Sequence, residues 1–246
     1  MSELDSNIAI HGYELGYQIT TEELERIRSW IIVQWRSRII DCYPELTSQV
    51  NQITVEQYHT LTEPLVHADL WAKPFRTFSR EQVKQLLEMS FFKKLCKQYG
   101  DLVIADIEGQ GYPEAYWRLV RPNCSQDVSD PHADSWFYSV TNKLSDERQS
   151  NLKKFWLAIN TVTGESGISV SSGSHLVQWK YGSEHRHGRS KPVFLDDPQK
   201  LNLKCLELSN GEGVLFDIDL IHKGVSHSLP HTRVSIEFAI ELQSKF

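Results

Sequence analysis

The spacing of apolar residues changes at Gly100, and that change limits the architecture more than anything else in the chain. Before it, Leu24, Ile27, Trp30 or Ile31, and Trp35 recur at helical spacing up to Ile39. So do Val83, Leu86, Leu87, Phe91, Leu95 and Tyr99. That is the period of an amphipathic helix. Thr20 with Glu22 and Glu23 marks the start of the first helix and Pro44 its end. Ser79 starts a second, spanning 80–99, and Gly100 stops it. Segment 1–20 reads as an irregular arm or short edge strand, and 45–70 as short helical pieces. After Gly100 the apolar residues fall into short runs, at 102–107, 115–120, 155–160, 168–170, 203–208, 214–217 and 234–240. Turn-formers such as 210–213 separate them, which is the texture of strands. Segments 142–151 and 180–200 read as loops. The expected fold is α+β with a mainly β core: a jelly roll over 101–246, with the helical layer of 1–100 packed on one sheet as part of a single domain.

The chemistry lies in the strand-rich half. His132 and Asp134 sit two residues apart in Pro131-His132-Ala133-Asp134. In an extended segment such residues project to the same side. A second imidazole, His222, and then Arg233 follow far downstream. Two His and one carboxylate on one face of a metal, with open positions opposite, form the ligand set of non-haem Fe(II) oxygenases. Alone, His-x-Asp is a weak signal, and Leu65-Val66-His67-Ala68-Asp69-Leu70 contains another. That second copy has no strand before it and reads as packing or surface. Arg233 is flanked by Val234 and Ile236 on a core strand, so its charge needs an internal anion.

The order of these segments resembles the phytanoyl-CoA dioxygenase-like Fe(II)- and 2-oxoglutarate-dependent oxygenases, over roughly residues 100–241. The resemblance is carried by Pro131-His132-Ala133-Asp134, Phe155-Trp156-Leu157-Ala158-Ile159-Asn160, Ser172-Gly173-Ser174-His175, Gly211-Glu212-Gly213-Val214-Leu215-Phe216, Leu220-Ile221-His222-Lys223-Gly224 and Thr232-Arg233-Val234-Ser235. It implies a double-stranded β-helix backed by helices. It implies iron on His132, Asp134 and His222, and 2-oxoglutarate held by Arg233, with Ser235 beside it and Trp156 lining the pocket. It also implies O2 as co-substrate, ascorbate as the reductant in vitro, and release of succinate and CO2. Halogenating relatives carry Gly or Ala at the carboxylate position, so Asp134 implies hydroxylation of an unactivated C–H, or a related desaturation or ring closure.

Other readings compete at several positions. A surface hydrogen-bonded pair is the plain alternative for His132 and Asp134, and a rim salt bridge for Arg233. His175 reads as part of a structured turn, and His227 and His231 as exposed. Arg118 and Arg121, on the strand leading to the site, are placed to meet a substrate carboxylate or phosphate. Trp136, Phe137 and Tyr138 could roof the pocket or pack in the core. The basic run over 185–191 is either an anion clamp or a solvated loop. An inactive jelly-roll binding protein, or a cupin-like metalloenzyme without the keto acid, are the other function classes.

Composition narrows the partners. The net charge of −6 and pI of about 5.9 give no general attraction for nucleic acid or an anionic membrane. No segment reaches the roughly 20 apolar residues of a membrane span, and the acidic start has no signal-peptide core. Cys42, Cys96, Cys124 and Cys205 form no C-x-x-C pair, which argues against zinc-thiolate sites and disulfides. The expectation is a cytoplasmic enzyme acting on a small molecule. Substrate identity and oligomeric state are not written in the sequence.

Overall fold

The computed structural model describes residues 3–61, 65–141, 143–186 and 189–243. In chain order it runs α1 (Glu3–His11), β1 (Tyr13–Gln18), α2 (Thr21–Cys42), α3 (Thr47–Gln52), α4 (His67–Leu70), α5 (Arg80–Leu87), α6 (Ser90–Tyr99), β2 (Leu102–Ile104) and β3 (Ala115–Val120). Then come α7 (Asp134–Thr141), α8 (Asp146–Ser150), β4 (Leu152–Asn160), β5 (Ile168–Ser171), β6 (Tyr181–Arg186), β7 (Arg189–Phe194), β8 (Leu203–Cys205), β9 (Glu212–Asp217), β10 (His222–Gly224) and β11 (Arg233–Leu242).

A six-stranded antiparallel sheet, β1-β9-β4-β11-β2, carries β3 alongside the first half of β11. A three-stranded sheet, β10-β5-β8, faces it, which closes the jelly roll. Trp156, Ala158, Ile168, Val170, Val214 and Phe216 pack between the two. The helical layer covers the outer face of the large sheet. There Ile27, Ile31, Trp35 and Ile39 of α2 meet Phe155, Leu157, Ile159, Val234, Ile236 and Phe238.

Both faces of β4 and β11 are therefore buried, and the two-residue period of a strand sorts them. On β11, Val234, Ile236 and Phe238 join the helix-side core, while Arg233, Ser235 and Glu237 alternate with them. On β4, Phe155, Leu157 and Ile159 face the helices, and Lys154, Trp156, Ala158 and Asn160 alternate with them.

Several local expectations change. The helix expected over 80–99 is two helices, because Met89 is extended between α5 and α6. A tertiary partner rewards the break. Glu23 Oε2 accepts from Thr20 N at 2.9 Å in the α2 capping box, while its Oε1 accepts from Ser90 N at 2.8 Å at the head of α6. The arm over 1–20 folds as α1 plus β1, which pairs with β9. The charged loop after position 142 contains α8, and Asn142 lies outside the described residues. The loop over 180–200 holds the β6–β7 hairpin; of its basic run, His187 lies outside the described residues.

Candidate active site

His132 and His222 meet through their backbones before their side chains do. They form an antiparallel bridge, His132 N donating to His222 O at 3.1 Å and His222 N to His132 O at 2.9 Å. Both residues thus lie at the edge of the small sheet. Asp134 is two residues further on but not on a strand: it opens α7. The expected extended His-x-Asp segment turns into a helix after His132, and the helix start brings the carboxylate back over the two imidazoles. One nitrogen from each ring and one Asp134 oxygen all lie within 4.8 Å of one another.

The protonation pattern suits a cation. His132 Nδ1 lies 2.7 Å from the Asp130 carbonyl and His222 Nδ1 2.9 Å from that of Leu220. A carbonyl only accepts, so each Nδ1 carries the proton and each Nε2 keeps its lone pair. Burial and the neighbouring His222 ring press His132 down to about 4, so it is neutral at pH 7. Burial opposes the charge on Asp134. The Lys154 ammonium and the two imidazoles outweigh it and hold the carboxyl below its usual range. Asp134 Oδ2 is buried without a hydrogen-bond partner; His222 Nε2 lies 4.0 Å and Lys154 Nζ 3.8 Å away. A buried carboxylate oxygen left open beside two imidazole lone pairs is what a divalent ion would complete.

Arg233 lies deeper. It is 2% exposed, and among the described residues its hydrogen bonds go to neutral oxygens, Ser235 Oγ at 3.3 Å and Gly167 O at 3.5 Å. Its Nε has no partner. Burial, and the nearby Arg118, press the guanidinium down to about 10. Its Cζ stands 5.9 Å from the Trp156 ring centroid. Arg233, Trp156, His132, Asp134 and His222 line one small cavity. A buried cation with an open edge in that cavity fits an organic carboxylate.

The residues expected to meet substrate divide. Arg118 lines the cavity but is paired with Glu237. Arg121 is taken up by Asp127, which accepts from its Nε and Nη2 at 2.8 Å each. That pairing braces the loop leading to His132. Trp136 is buried by stacking on Tyr181, 4.8 Å between centroids, and on Phe194 of the hairpin, so it packs. Phe137 instead flanks the site, edge-on to His132 at 5.1 Å. His175 sits in a turn after left-handed Gly173. His227, expected to be exposed, is buried and stacks on His231 at 5.0 Å. His67 and Asp69 of the second His-x-Asp lie in α4.

Lys154, Glu237 and Tyr116 were missed. All three are buried on the inner face, with Lys154 Nζ 3.3 Å from Tyr116 Oη and Glu237 opposite Tyr116 on β3 and Trp156 on β4. The signal was a charged residue at alternate positions of an otherwise apolar strand, as in Ile236-Glu237-Phe238.

The sequence profile of the family described as phytanoyl-CoA dioxygenase (PhyH) matches residues 45–234, a span that includes His132, Asp134, His222 and Arg233. No curated protein matches the sequence. Among solved structures, EvdO2 from Micromonospora carbonacea var. aurantiaca, complexed with 2-oxoglutarate, is similar at a TM-score of 0.58 and 12% identity, over 99% of this chain and 91% of that one. EctD from S. alaskensis, with 2-oxoglutarate and 5-hydroxyectoine, is similar at 0.57 and 12%, over 98% and 76%. The non-heme monooxygenase ThoJ, as a nickel complex, gives 0.53 and 11%, over 98% and 77%. At these identities the likeness is one of fold.

Proposed function

The chain belongs to the phytanoyl-CoA dioxygenase family, and from that premise we propose that it is a non-haem iron(II) oxygenase that uses 2-oxoglutarate and O2 to hydroxylate a C–H bond of a small molecule. One observation carries the reading: two buried sets of groups, the open Asp134 oxygen with its imidazole lone pairs and the Arg233 guanidinium without an anion, line the same cavity. The first suits a ferrous ion and the second the far carboxylate of a keto acid.

Iron, when bound, supplies the site at which O2 and 2-oxoglutarate are converted to succinate and CO2 while a substrate C–H is oxidised. His132 and His222 present neutral nitrogens and Asp134 the single negative charge. The backbone bridge fixes the two imidazoles relative to each other. Arg233 and Ser235 orient the keto acid from the barrel floor, and Trp156 walls it on one side. Lys154 holds Asp134 ionised. Phe137 closes the rim beside His132 and sheds water there.

The test is anaerobic addition of Fe(II) and 2-oxoglutarate. A weak visible charge-transfer band is expected, absent in His132→Ala, Asp134→Ala and His222→Ala variants that remain folded. Succinate release in a substrate screen with ascorbate then reports turnover. Wild-type protein that gives neither band nor succinate is instead an inactive relative of the fold, and a ligand variant of wild-type activity overturns the assignment of the site.

A further inference from the structure

A second guanidinium, half-buried, has no carboxylate within ion-pair distance among the described residues. Arg76, between α4 and α5, donates its Nε to Trp71 O at 2.9 Å and its Nη1 to Trp117 O at 2.8 Å. Both acceptors are neutral carbonyls, and among the described residues no carboxylate pairs with it. Its Cζ lies 5.1 Å from the Tyr116 ring centroid. Of the other cations near it, Arg118 is held by Glu237, and Lys73 by Glu108 at 3.0 Å and Glu114 at 3.1 Å, while Lys191 of β7 lines the same cavity as Arg76. Burial and Arg118 press Arg76 down to about 10, against the opposing pull of Tyr116 and of Glu237, which Arg118 already holds, a penalty that two carbonyl hydrogen bonds do not explain, since a neutral donor could make them.

Its position gives the charge a use. Arg76 lines a cavity of about 340 Å³ that also takes in His132, Asp134 and Phe137. The same guanidinium lines a wider groove beside it, with Arg118 and Arg121. Arg233 lines the smaller cavity and Arg76 the one of about 340 Å³, and the two cavities share Arg118, His132 and Asp134. The volume is at the low end of the range for ligand pockets.

We propose that Arg76 is the anchor for an anionic group of the substrate, a carboxylate or a phosphate ester, and that the molecule extends from it across the cavity toward the His132–Asp134 edge. This rests on the oxygenase reading and names its substrate class: a compact, anionic small molecule. A guanidinium with two nitrogens fixed by carbonyls keeps its orientation, which favours a group able to accept in the guanidinium plane. Arg76 acts as a binding and specificity residue, distinct from the cation that seats the keto acid.

The experiment titrates inorganic phosphate and, separately, acetate into protein loaded with Mn(II) and saturating 2-oxoglutarate, so that Arg233 is occupied. Tryptophan fluorescence reads binding, since Trp71 and Trp117 carry the carbonyls that hold Arg76. Saturable binding of at least one anion is expected, weakened tenfold or more in Arg76→Gln and only partly restored in Arg76→Lys, whose ammonium keeps the charge but not the planar fork. Preference for phosphate points to a phosphate ester and preference for acetate to a carboxylate. The Fe(II)–2-oxoglutarate band persists in Arg76→Gln. The proposal is overturned if neither anion binds, if Arg76→Gln binds them as wild type does, or if Arg76→Gln loses 2-oxoglutarate as Arg233→Ala does. A missing band in wild type sinks the oxygenase reading instead, while the anion titration still reports on Arg76.

Discussion

The ammonium of Lys154 stands 3.8 Å from the Asp134 carboxylate, and both are buried inside the barrel. Burial alone would lower the lysine; Asp134, Tyr116 and Glu237 hold it well above its ordinary value. With Arg118 it supplies the positive charge of a buried network that includes a proposed metal ligand. Lys154→Met leaves carboxylates uncompensated and is expected to destabilise the metal-free protein by about 3 kcal/mol. Urea unfolding measures this. Mn(II) should recover part of the loss, because a divalent ion takes over the compensation of Asp134. Equal loss with and without Mn(II) contradicts the network.

Arg233→Ala is expected to weaken 2-oxoglutarate roughly 100-fold, through the loss of a charge-assisted fork in a buried site. Arg233→Lys should recover only part, since an ammonium cannot form that fork. Titrating the visible band with 2-oxoglutarate gives both values. An unchanged midpoint in the alanine variant places the keto acid elsewhere.

His67 predicts a pH effect remote from the metal. Its Nδ1 faces Tyr58 Oη at 3.1 Å, and burial lowers it from 6.5 to about 4, with Asp127 at 3.6 Å opposing. The native state therefore binds fewer protons than the unfolded chain between those values. Stability is complete above 6.5 and is lost as pH falls toward 4, by at most about 3 kcal/mol from this residue. His67→Gln should flatten that part of the profile. Urea midpoints at pH 7.5 and 4.5 decide, and an identical acid loss in both proteins counts against the argument.

Gly213 has no room for a side chain. A Cβ there would lie 2.6 Å from Phe155 Cζ and 3.1 Å from Trp156 O. Gly213→Ala is expected to cost about 1–3 kcal/mol, seen as a lower melting temperature. An alanine variant that melts with the wild type would show that Phe155 moves aside freely.

The sequence carried the two periodicities that separate the helical layer from the barrel, so the fold class was legible before any coordinates. That His132, Asp134, His222 and Arg233 come together was legible from the order of the segments that carry them, although Asp134 arrives on a helix start rather than a strand. The rest depended on tertiary partners. Nothing local to 88–90 shows that Glu23 will cap Ser90, so the split between α5 and α6 was invisible. Arg118 and Arg121 look alike in the sequence, and only the fold shows that Asp127 claims Arg121, just past β3, while Arg118 reaches the cavity. Trp136 looked like a pocket residue because the hairpin that buries it read as loop. Arg76 lies in a short turn with no pattern, and its role emerges only when β3 supplies the facing carbonyl.

The alternation along β11 puts two tasks on one ribbon. Its even-numbered side chains clamp the helices, and its odd-numbered ones furnish the chamber. A one-residue slip of its register would turn the ribbon over, sending the guanidinium into the oily layer and a benzyl ring into the chamber. Such a strand can accept swaps of side chain at either set of positions, yet its length is fixed by both tasks at once.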